Sequence, residues 1–356
     1  MGNFEFIMQT IIATQFFMNK KKQLSFTICL PIYKASHILQ RCLDSILKQS
    51  FQNFEIIIGD NNDPAMIKEI ERTKKIIKSY NDQRIFYFKN AKNLGYPKNL
   101  IKIVSRAKND ILFLMASDDI LLENALQKTH DVFLWDENIG VVTRPYFWFL
   151  DKCDKPVRAV LPYNKQKNAI ISIYDSQATF RKIFESVGQL SGLAYRREYL
   201  DTPFKNDVFL AHIYPFAGIL KKHECVFLKD FTVAVGIKES QTRSTSAIYD
   251  QSPTESWLKM YKTIFSKKYY HQQREWGIKH MTTNYLGLVQ IKNYGKPGVL
   301  FKEIKILTKN RWQNLFSLKF WFFALGTSIV PRSILTRLVD GYKNRINARI
   351  IKNQII

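Results

Sequence analysis

The chain has 356 residues, 46% of them hydrophobic, so it can bury a sizeable core in one large domain or two smaller ones. Its formal net charge of +24 indicates a polyanionic partner (nucleic acid, anionic lipid or a phosphorylated ligand), although a lysine-rich soluble surface would explain the same charge. The four cysteines show no metal-ligand spacing and are too sparse for a secreted disulfide framework, so we interpret them as reduced thiols in a reducing compartment.

The first segment along the chain is apolar, from Phe4 to Met18, and the basic run Lys20–Lys22 follows it. Polar residues interrupt this segment, and it is shorter than the about 20 residues that a membrane span needs. A signal peptide would carry its charges first and end in a small-residue cleavage site. We therefore interpret residues 1–24 as an N-terminal extension, either an amphipathic helix or an overextended start.

Four short apolar runs, rich in β-forming residues, alternate with helical patterns up to about residue 150. They predict buried strands at Phe26–Ile32 and Phe54–Ile58, and further strands at Arg84–Phe88 and Asp110–Met115. Helices are predicted from Ser36 or His37, over roughly 65–80 and over Lys98–Ala107. This alternation predicts an α/β fold with a mainly parallel sheet flanked by helices, in which ligands bind beyond the carboxyl ends of the strands.

Three of the four predicted strands end in residues that can bind a ligand. Tyr33 can stack on a base, or can be an ordinary half-buried aromatic residue. The Asp60 carboxylate can accept the imide N–H of uracil or thymine, or can form an Asx turn. Asp118 and Asp119 can hold a divalent cation on a diphosphate, or can cap a helix that begins near Ile120.

The second half has a weaker pattern. It predicts a polar loop or hairpin over 151–169, helices at Phe180–Val187 and Asp207–Leu220, strands at Gly192–Arg197, Cys225–Leu228 and Phe231–Val235, and helices over 253–292. Residues 300–356 combine the apolar stretch Leu315–Pro331 with eleven basic residues and only two acidic ones. This composition predicts a helix lying on an anionic membrane surface rather than a DNA-binding element.

Three segments of the first half together resemble the family 2 glycosyltransferases, an inverting group with the GT-A fold. FTICLPIYK (26–34) is similar to the first strand and P-x-Y-N turn of that family. FEIIIGDNND (54–63) resembles its second strand, and NLGYPKNLIKIVSRAKNDILFLMASDD (93–119) resembles its segment ending in D-x-D-D. The resemblance covers roughly residues 25–150. It implies a GT-A catalytic domain at 25–245, with a nucleotide-binding half at 25–150 and an acceptor half at 151–245. A helical, basic, membrane-associating region follows at 246–356.

The resemblance also implies roles for the residues at matching positions. Five of them are expected to line the nucleotide: Pro31, Ile32 and Tyr33 at the base, Asp60 at the base imide, and Lys98 near the nucleotide or its phosphates. Asp118 and Asp119 are expected to contact the ribose and to hold Mn²⁺ or Mg²⁺ on the diphosphate.

The sequence departs from the family pattern at three places. Lys34 replaces the usual Asn, Asn61-Asn62-Asp63 replaces Asp-Gly-Ser, and Ala116 stands where the first acid of D-x-D-D is common. The last departure leaves two acids for the cation and makes metal ligation less secure than the nucleotide site.

An inverting transfer needs a base that deprotonates the acceptor hydroxyl. The family uses an Asp in a Glu-Asp pair at the start of a helix, and Asn206-Asp207 occupies that place, which makes Asp207 the candidate base. The alternatives are His212 or His223 as the base, with Asp207 only placed by the helix dipole. Arg243, in SQTRS, is a candidate diphosphate contact that faintly resembles the Q-x-x-R-W motif of processive members.

These observations predict an inverting, hexosyl-type transferase that takes sugar from a UDP- or dTDP-sugar with a divalent cation. Its expected acceptor is a polyprenyl-linked saccharide in O-antigen or capsule assembly. The expected location is cytoplasmic and peripheral, on the inner face of the plasma membrane. Two alternatives stay open: a degenerate family member that only binds, and a nucleic-acid-binding protein. The acidic cluster at the predicted site and the lack of a recognisable module argue against nucleic acid.

Overall fold

The structure, a computed structural model, describes residues 23–240 and 247–342. Three parts of the sequence predictions lie outside the described residues: the apolar segment Phe4 to Met18, Arg243, and the basic residues beyond 342.

The first half alternates strands and helices, as the apolar periodicity predicts. Its elements are β1 (Phe26–Ile32), α1 (Leu39–Leu47), β2 (Phe54–Asp60), α2 (Ile67–Tyr80), β3 (Ile85–Lys89), α3 (Tyr96–Val104) and β4 (Ile111–Leu114). Successive residues of β1 point to opposite cores, because Ile28 and Leu30 join one buried cluster and Cys29 joins the other. Burial on both faces explains why β1, β2 and β4 are unbroken apolar runs in the sequence, whereas the edge strand β3 is only half-buried.

The middle of the chain completes the sheets with shorter elements. They are β5 (Ile120–Leu121), α4 (Ala125–Phe133), β6 (Ile139–Thr143), β7 (Tyr146–Phe149), β8 (Pro156–Val160), β9 (Ala169–Ile171), α5 (Gln177–Ser186), β10 (Ala194–Arg196), α6 (Ile213–Ile219), β11 (Glu224–Phe227) and β12 (Val233–Gly236).

The described strands form two sheets. The larger has the order β3-β2-β1-β4-β10-β6-β11-β9, and the smaller has the order β5-β12-β7-β8. β1 to β4 are parallel, and β10 is antiparallel to both β4 and β6. The strands β6 and β11 therefore run in the same direction as β1. The carboxyl ends of β1, β2 and β4 meet at one edge of the larger sheet, which we call the carboxyl edge.

Two sequence predictions are wrong in detail. No helix begins near Ile120, because Ile120–Leu121 pairs with β12 as β5. The segment Asp207–Leu220 is helical only over Ile213–Ile219, after a series of turns. For residues 151–169, the sequence predicts either a polar loop or a hairpin, and the hairpin is confirmed, because β8 pairs antiparallel with β7. Strands of two to five residues carry too few alternations to be recognised in a sequence.

Within residues 247–342, six α-helices follow the smaller sheet: α7 (Pro253–Ile264), α8 (His271–Thr282), α9 (Leu286–Tyr294), α10 (Pro297–Asn310), α11 (Leu318–Ile329) and α12 (Arg332–Gly341). Tyr261 of α7 packs against the rings of Phe180 and Phe184, at centroid distances of 5.8 and 5.2 Å. Glu303 of α10 is buried and accepts hydrogen bonds from Ser252 Oγ and the Thr254 backbone N–H. Aromatic packing thus joins α7 to the sheet domain, and the buried carboxylate of Glu303 joins α10 to the start of α7.

Within the described residues, no helix is long and apolar enough to cross a membrane.

Candidate functional site

The first feature of the carboxyl edge is Asp60, the last residue of β2, which lies beside Ile32 of β1 in the strand register. Asp60 is fully buried. Its Oδ2 accepts a 2.6 Å hydrogen bond from the Tyr87 hydroxyl, and its Oδ1 accepts a 2.8 Å bond from the Asn62 backbone N–H. One donor from β3 and one from the loop after β2 therefore fix the orientation of this carboxylate. An ionised carboxylate has about four acceptor positions, so these two bonds do not use all of them.

The turn after β1 is held by two residues that depart from the family pattern. Lys34 has a left-handed backbone with φ +50°, and its N–H donates a 2.7 Å hydrogen bond to Asn62 Oδ1. The Lys34 ammonium lies 5.3 Å from the centre of the Tyr33 ring. Lys34 and Asn62 thus replace the usual residues as an interacting pair, and this pair positions Tyr33 beside the end of β1.

A cluster of four asparagines ties the β3–α3 loop to the end of β2, and the sequence patterns did not reveal it. Asn61 Nδ2 donates to Asn93 Oδ1 at 2.7 Å, and Asn90 Nδ2 donates to Asn99 Oδ1 at 2.8 Å. Asn99 Nδ2 in turn donates to the carbonyl of Gly59 at 2.8 Å. These bonds fix the loop that leads into α3, where the exposed Lys98 lies in the first helical turn.

Asp119 is buried beneath the carboxyl edge, and protein donors engage both of its oxygens. Oδ2 accepts from Ser191 Oγ at 2.5 Å and from Gln189 Nε2 at 2.9 Å, and Oδ1 accepts from the Gly236 backbone N–H at 3.0 Å. Burial and the neighbouring Asp118 raise the pKa of Asp119. Through these hydrogen bonds, Asp119 holds the 189–191 loop and β12 against the segment that follows β4.

The loop that contacts Asp119 is itself held by a buried arginine. Arg144 has no exposed surface and donates to the carbonyls of Ser186, Gln189 and Ser191. Desolvation lowers its pKa to about 10, so the guanidinium is charged at neutral pH. Gly192 follows the loop with φ +82°, and a β-carbon there would lie 2.9 Å from Arg144 Nε. Close packing of Arg144 against this glycine keeps the loop in one conformation.

Asp118 differs from its neighbour because its side chain is only half-buried. Met115 N donates to the carbonyl of Cys29 at 3.1 Å, which brings the residues after β4 beside the end of β1. Burial, with a smaller contribution from the Glu239 carboxylate, raises the pKa of Asp118 to about 6 against the opposing effect of the Arg41 guanidinium. Asp118 is therefore the member of the pair that can offer an oxygen to a ligand.

Two residues near Asp118 were missed by the sequence patterns. Arg41 of α1 donates a 3.0 Å hydrogen bond to the carbonyl of Asp118. Glu239, which follows β12, forms a 2.9 Å ion pair with His37. Neither residue belongs to a recognisable motif. Both contact residues that are far from them in the sequence, so only the folded chain brings them to the carboxyl edge.

Among the three candidate bases, Asp207 combines partial exposure with a carboxylate oxygen that is not engaged by the described residues. Its Oδ1 accepts from the N–H groups of Phe209 and Leu210, at 3.0 Å each, and within the described part of the chain no hydrogen bond engages Oδ2. The turn that Asp207 begins leads to His212, whose ring contacts the hydroxyl of Tyr96 in the first turn of α3. This contact links the Asp207 turn to the segment that carries Lys98.

The two histidines fit structural roles better than a catalytic one. His212 is buried, with Nε2 3.0 Å from the carbonyl of Val187 and Nδ1 3.2 Å from the Tyr96 hydroxyl. Desolvation lowers its pKa to about 4, so it is neutral and both ring nitrogens are satisfied. His223 stacks on Tyr199 at 3.7 Å and immediately precedes β11. It therefore lies at the sheet edge opposite to Asp60 and Asp118.

The structure thus brings Pro31, Ile32, Tyr33, Asp60 and Asp118 to one edge of the sheet. No group of three or more His, Cys, Asp or Glu residues in the described ranges is arranged to hold a metal ion. A cation at this edge would take one carboxylate from Asp118 and its remaining ligands from a diphosphate and water. This ligand set is common for Mg²⁺.

Comparison with known proteins agrees with this geometry. Residues 27–194 match the family described as "Glycosyl transferase family 2". The chain is 31% identical over 121 residues to the glycosyltransferase GlyG of Streptococcus pneumoniae, which is 34% of this chain and 38% of that protein. It is 30% identical over 119 residues to the abequosyltransferase RfbV of Salmonella typhimurium, 31% of this chain and 35% of that protein. It is 26% identical over 140 residues to the minor teichoic acid biosynthesis protein GgaA of Bacillus subtilis, 36% of this chain and 29% of that protein.

These matches span only 29% to 38% of the length of the three relatives. Among solved structures, S. aureus TarS superposes with a TM-score of 0.54 at 14% identity, over 88% of this chain and 55% of that chain. The likeness shows a shared GT-A fold, with a mostly parallel sheet, flanking helices and further helices at the C-terminus.

Proposed function

The chain belongs to glycosyl transferase family 2, and from that premise we propose that it transfers a hexosyl-type sugar, with inversion, from a UDP- or dTDP-sugar to a hydroxyl group. The observation that supports this most strongly is the convergence of Ile32, Asp60 and Asp118 at the carboxyl edge. Open α/β sheets bind their ligands at this position.

The proposed nucleotide site uses the Asp60 carboxylate as the acceptor for the base. Uracil and thymine carry an imide N–H between two carbonyls, whereas cytosine has an unprotonated nitrogen at that position. A carboxylate oriented by Tyr87 and Asn62 would therefore favour uracil or thymine. Tyr33 would stack on the base, and Lys98 would lie near the nucleotide or its phosphates.

The sugar diphosphate would be held at Asp118. A bound Mn²⁺ or Mg²⁺ would supply the positive charge that stabilises the leaving diphosphate. Asp118 would provide the protein ligand, because it is the half-buried member of its pair. Asp119 would act in the same site by fixing the 189–191 loop and β12 around Asp118. Arg243 stays a candidate contact for the diphosphate.

We assign the base to Asp207. Its Oδ1 is oriented by two backbone N–H groups, which leaves Oδ2 to accept the proton of the attacking hydroxyl. As that proton moves to Asp207, the acceptor oxygen attacks the anomeric carbon from the side opposite to the diphosphate. The bond to the diphosphate breaks, and the configuration inverts.

The acceptor would be a polyprenyl-linked saccharide in surface polysaccharide assembly, such as O-antigen or capsule. The names of two relatives support this class, one concerning teichoic acid and the other an abequosyltransferase. An enzyme acting on such an acceptor would work in the cytoplasm, at the inner face of the plasma membrane. The basic, apolar C-terminal helices support this location.

The test is a screen for the hydrolysis of UDP- and dTDP-sugars by the full chain with Mn²⁺. We expect turnover of at least one donor, and a loss of about a hundredfold or more in Asp207→Asn once an acceptor is identified. The matched control is Asp201→Asn, because Asp201 is exposed and pairs with Lys222 at the opposite edge of the sheet. Saturable UDP binding without turnover of any donor would instead favour a degenerate member of the family that only binds.

A further inference from the structure

Helix α11 is apolar on two opposite sides. Phe320, Ala324 and Thr327 face inward and are buried. On the other side lie five large apolar residues with exposed fractions of 39% to 89%: Leu318, Trp321, Phe322, Leu325 and Ile329. At 100° per residue, these five fall within about 100° of the helix circumference. Soluble surfaces rarely carry such a continuous apolar stripe without a partner.

The turn before α11 extends this apolar surface and is rigidly built. Trp312 and Phe316 are 62% and 79% exposed. The buried Asn314 between them donates to the carbonyls of Thr282 and Leu307, and its Oδ1 accepts from the Tyr285 hydroxyl. A fully satisfied amide therefore holds the turn against α8, α9 and α10 while its aromatic residues stay outside.

The indole of Trp321 joins the turn to α11, because its Nε1 donates a 2.8 Å hydrogen bond to the carbonyl of Leu315. After Pro331, helix α12 and the residue that ends it continue the exposed apolar surface. Ile334, Leu338 and Tyr342 follow at four-residue spacing, with exposed fractions of 48%, 62% and 55%. We call Phe316 and the five exposed residues of α11 the docking face.

The docking face lies in a strongly basic region. Seven basic residues occur between 300 and 342: Lys302, Lys305, Lys309, Arg311, Lys319, Arg332 and Arg337. Only two acidic residues share this segment, the buried Glu303 and Asp340. A partner that covers the docking face must therefore accept both apolar side chains and a dense positive charge.

We propose that the docking face inserts its apolar side chains between the acyl chains of an anionic lipid bilayer while the surrounding cations bind the lipid headgroups. Exposed tryptophan and tyrosine beside aliphatic residues and cations are typical of interfacial helices. This inference rests on the proposed membrane association and gives it a defined surface, and it does not depend on the nucleotide chemistry.

A second copy of the chain fits this surface less well than a bilayer does. Pairing two docking faces would bring two sets of cations together without counter-charges from the partner. An anionic headgroup layer supplies the missing charge over a wide area. It also leaves the buried side of α11 in place against Tyr285, so the helices need not rearrange.

The test is co-sedimentation of the full chain with vesicles of phosphatidylcholine alone, or with added phosphatidylglycerol. We expect binding only to the anionic vesicles. The triple variant Phe316→Ser, Phe322→Ser and Ile329→Ser should lower the partition coefficient at least about tenfold. Lys319→Gln, Arg332→Gln and Arg337→Gln together should lower it about tenfold or more at low salt. All six positions are exposed, so both variants are expected to fold.

Trp135→Ser is the matched control, because Trp135 is 51% exposed and lies in the sheet domain after α4. It should bind vesicles as the wild type does. Failure of the wild type to bind anionic vesicles would overturn the inference, as would unchanged binding by the apolar triple variant. A wild-type dimer that the apolar triple converts to monomer, without vesicle binding, would assign the face to a second copy and reject the lipid. UDP titration of the same samples separates these results from a failure of the nucleotide site.

Discussion

Two adjacent aspartates at the carboxyl edge should respond in opposite ways to the same substitution. In Asp119→Ala, the Gly236 N–H, the Gln189 amide and the Ser191 hydroxyl lose their shared acceptor inside the protein. In Asp118→Ala, a half-buried side chain is removed. Asp119→Ala should therefore destabilise the fold, whereas Asp118→Ala should mainly impair binding of the nucleotide and its cation.

The magnitude follows from the donors left without a partner. A buried N–H without an acceptor costs about 1–3 kcal/mol, and the Ser191 hydroxyl and Gln189 amide recover part of their loss by turning toward other groups. Removing a buried carboxylate also relieves its desolvation and its repulsion by Asp118, which offsets part of the cost. We expect a net loss of about 2–4 kcal/mol, or a drop of roughly 3–5 °C in Tm for a chain of 356 residues.

For Asp118 the sign is different. Its pKa is raised to about 6 in the folded protein, above the value of an unfolded chain. The ionised side chain present at pH 7 is therefore less stable in the folded protein than in the unfolded chain, and it lowers the free energy of unfolding. Asp118→Ala should therefore leave Tm unchanged or slightly higher at pH 7. Thermal unfolding of both variants in one buffer, with UDP titration in parallel, provides the measurement. An unchanged Tm for Asp119→Ala, or an equal drop for Asp118→Ala, would refute this assignment of roles.

Three further predictions concern the chemistry of the site. Asp207→Asn should abolish transfer, whereas His212→Gln should retain the pH dependence of the transfer rate, because His212 is already neutral. A shift of the acidic limb of that pH profile in His212→Gln would count against Asp207 as the base. Mn²⁺-dependent UDP binding should weaken about tenfold from pH 7 to pH 5, because Asp118, with a pKa of about 6, is protonated over that range, and calorimetry at both values checks this. Tyr87→Phe removes a hydrogen bond to Asp60 and should raise the Kd for UDP about threefold to tenfold. Equal UDP affinity in Tyr87→Phe and the wild type would contradict the role of Asp60 in binding the base.

The first three strands could be predicted from sequence to within about two residues. For β1 and β2 the reason is that buried parallel strands are unbroken apolar runs. The predicted span of β1, Phe26–Ile32, is the observed one, and the predicted β2, Phe54–Ile58, extends to Asp60 in the structure. Since these strands are parallel and adjacent, their ends had to meet. The prediction that Tyr33 and Asp60 share one edge therefore followed from the fold class.

The supporting contacts of the site could not be predicted in the same way. Asp119 bonds to Gln189, Ser191 and Gly236, which lie 70 to 117 positions away in the chain. Pairings at such separations depend on the whole topology and leave no local pattern in the sequence. The asparagine cluster around Asn61 was hidden for a related reason, since asparagines in loops are more often simple turn residues.

The most direct test of the central claim is calorimetric titration of the full chain with UDP in the presence of Mn²⁺. We expect saturable binding that Asp60→Asn and Asp118→Asn each weaken at least about tenfold. Asp201→Asn, at the opposite edge, should bind as tightly as the wild type. Absence of UDP and dTDP binding by the wild type, or equal affinity in all four proteins, would contradict the placement of the nucleotide at the carboxyl edge.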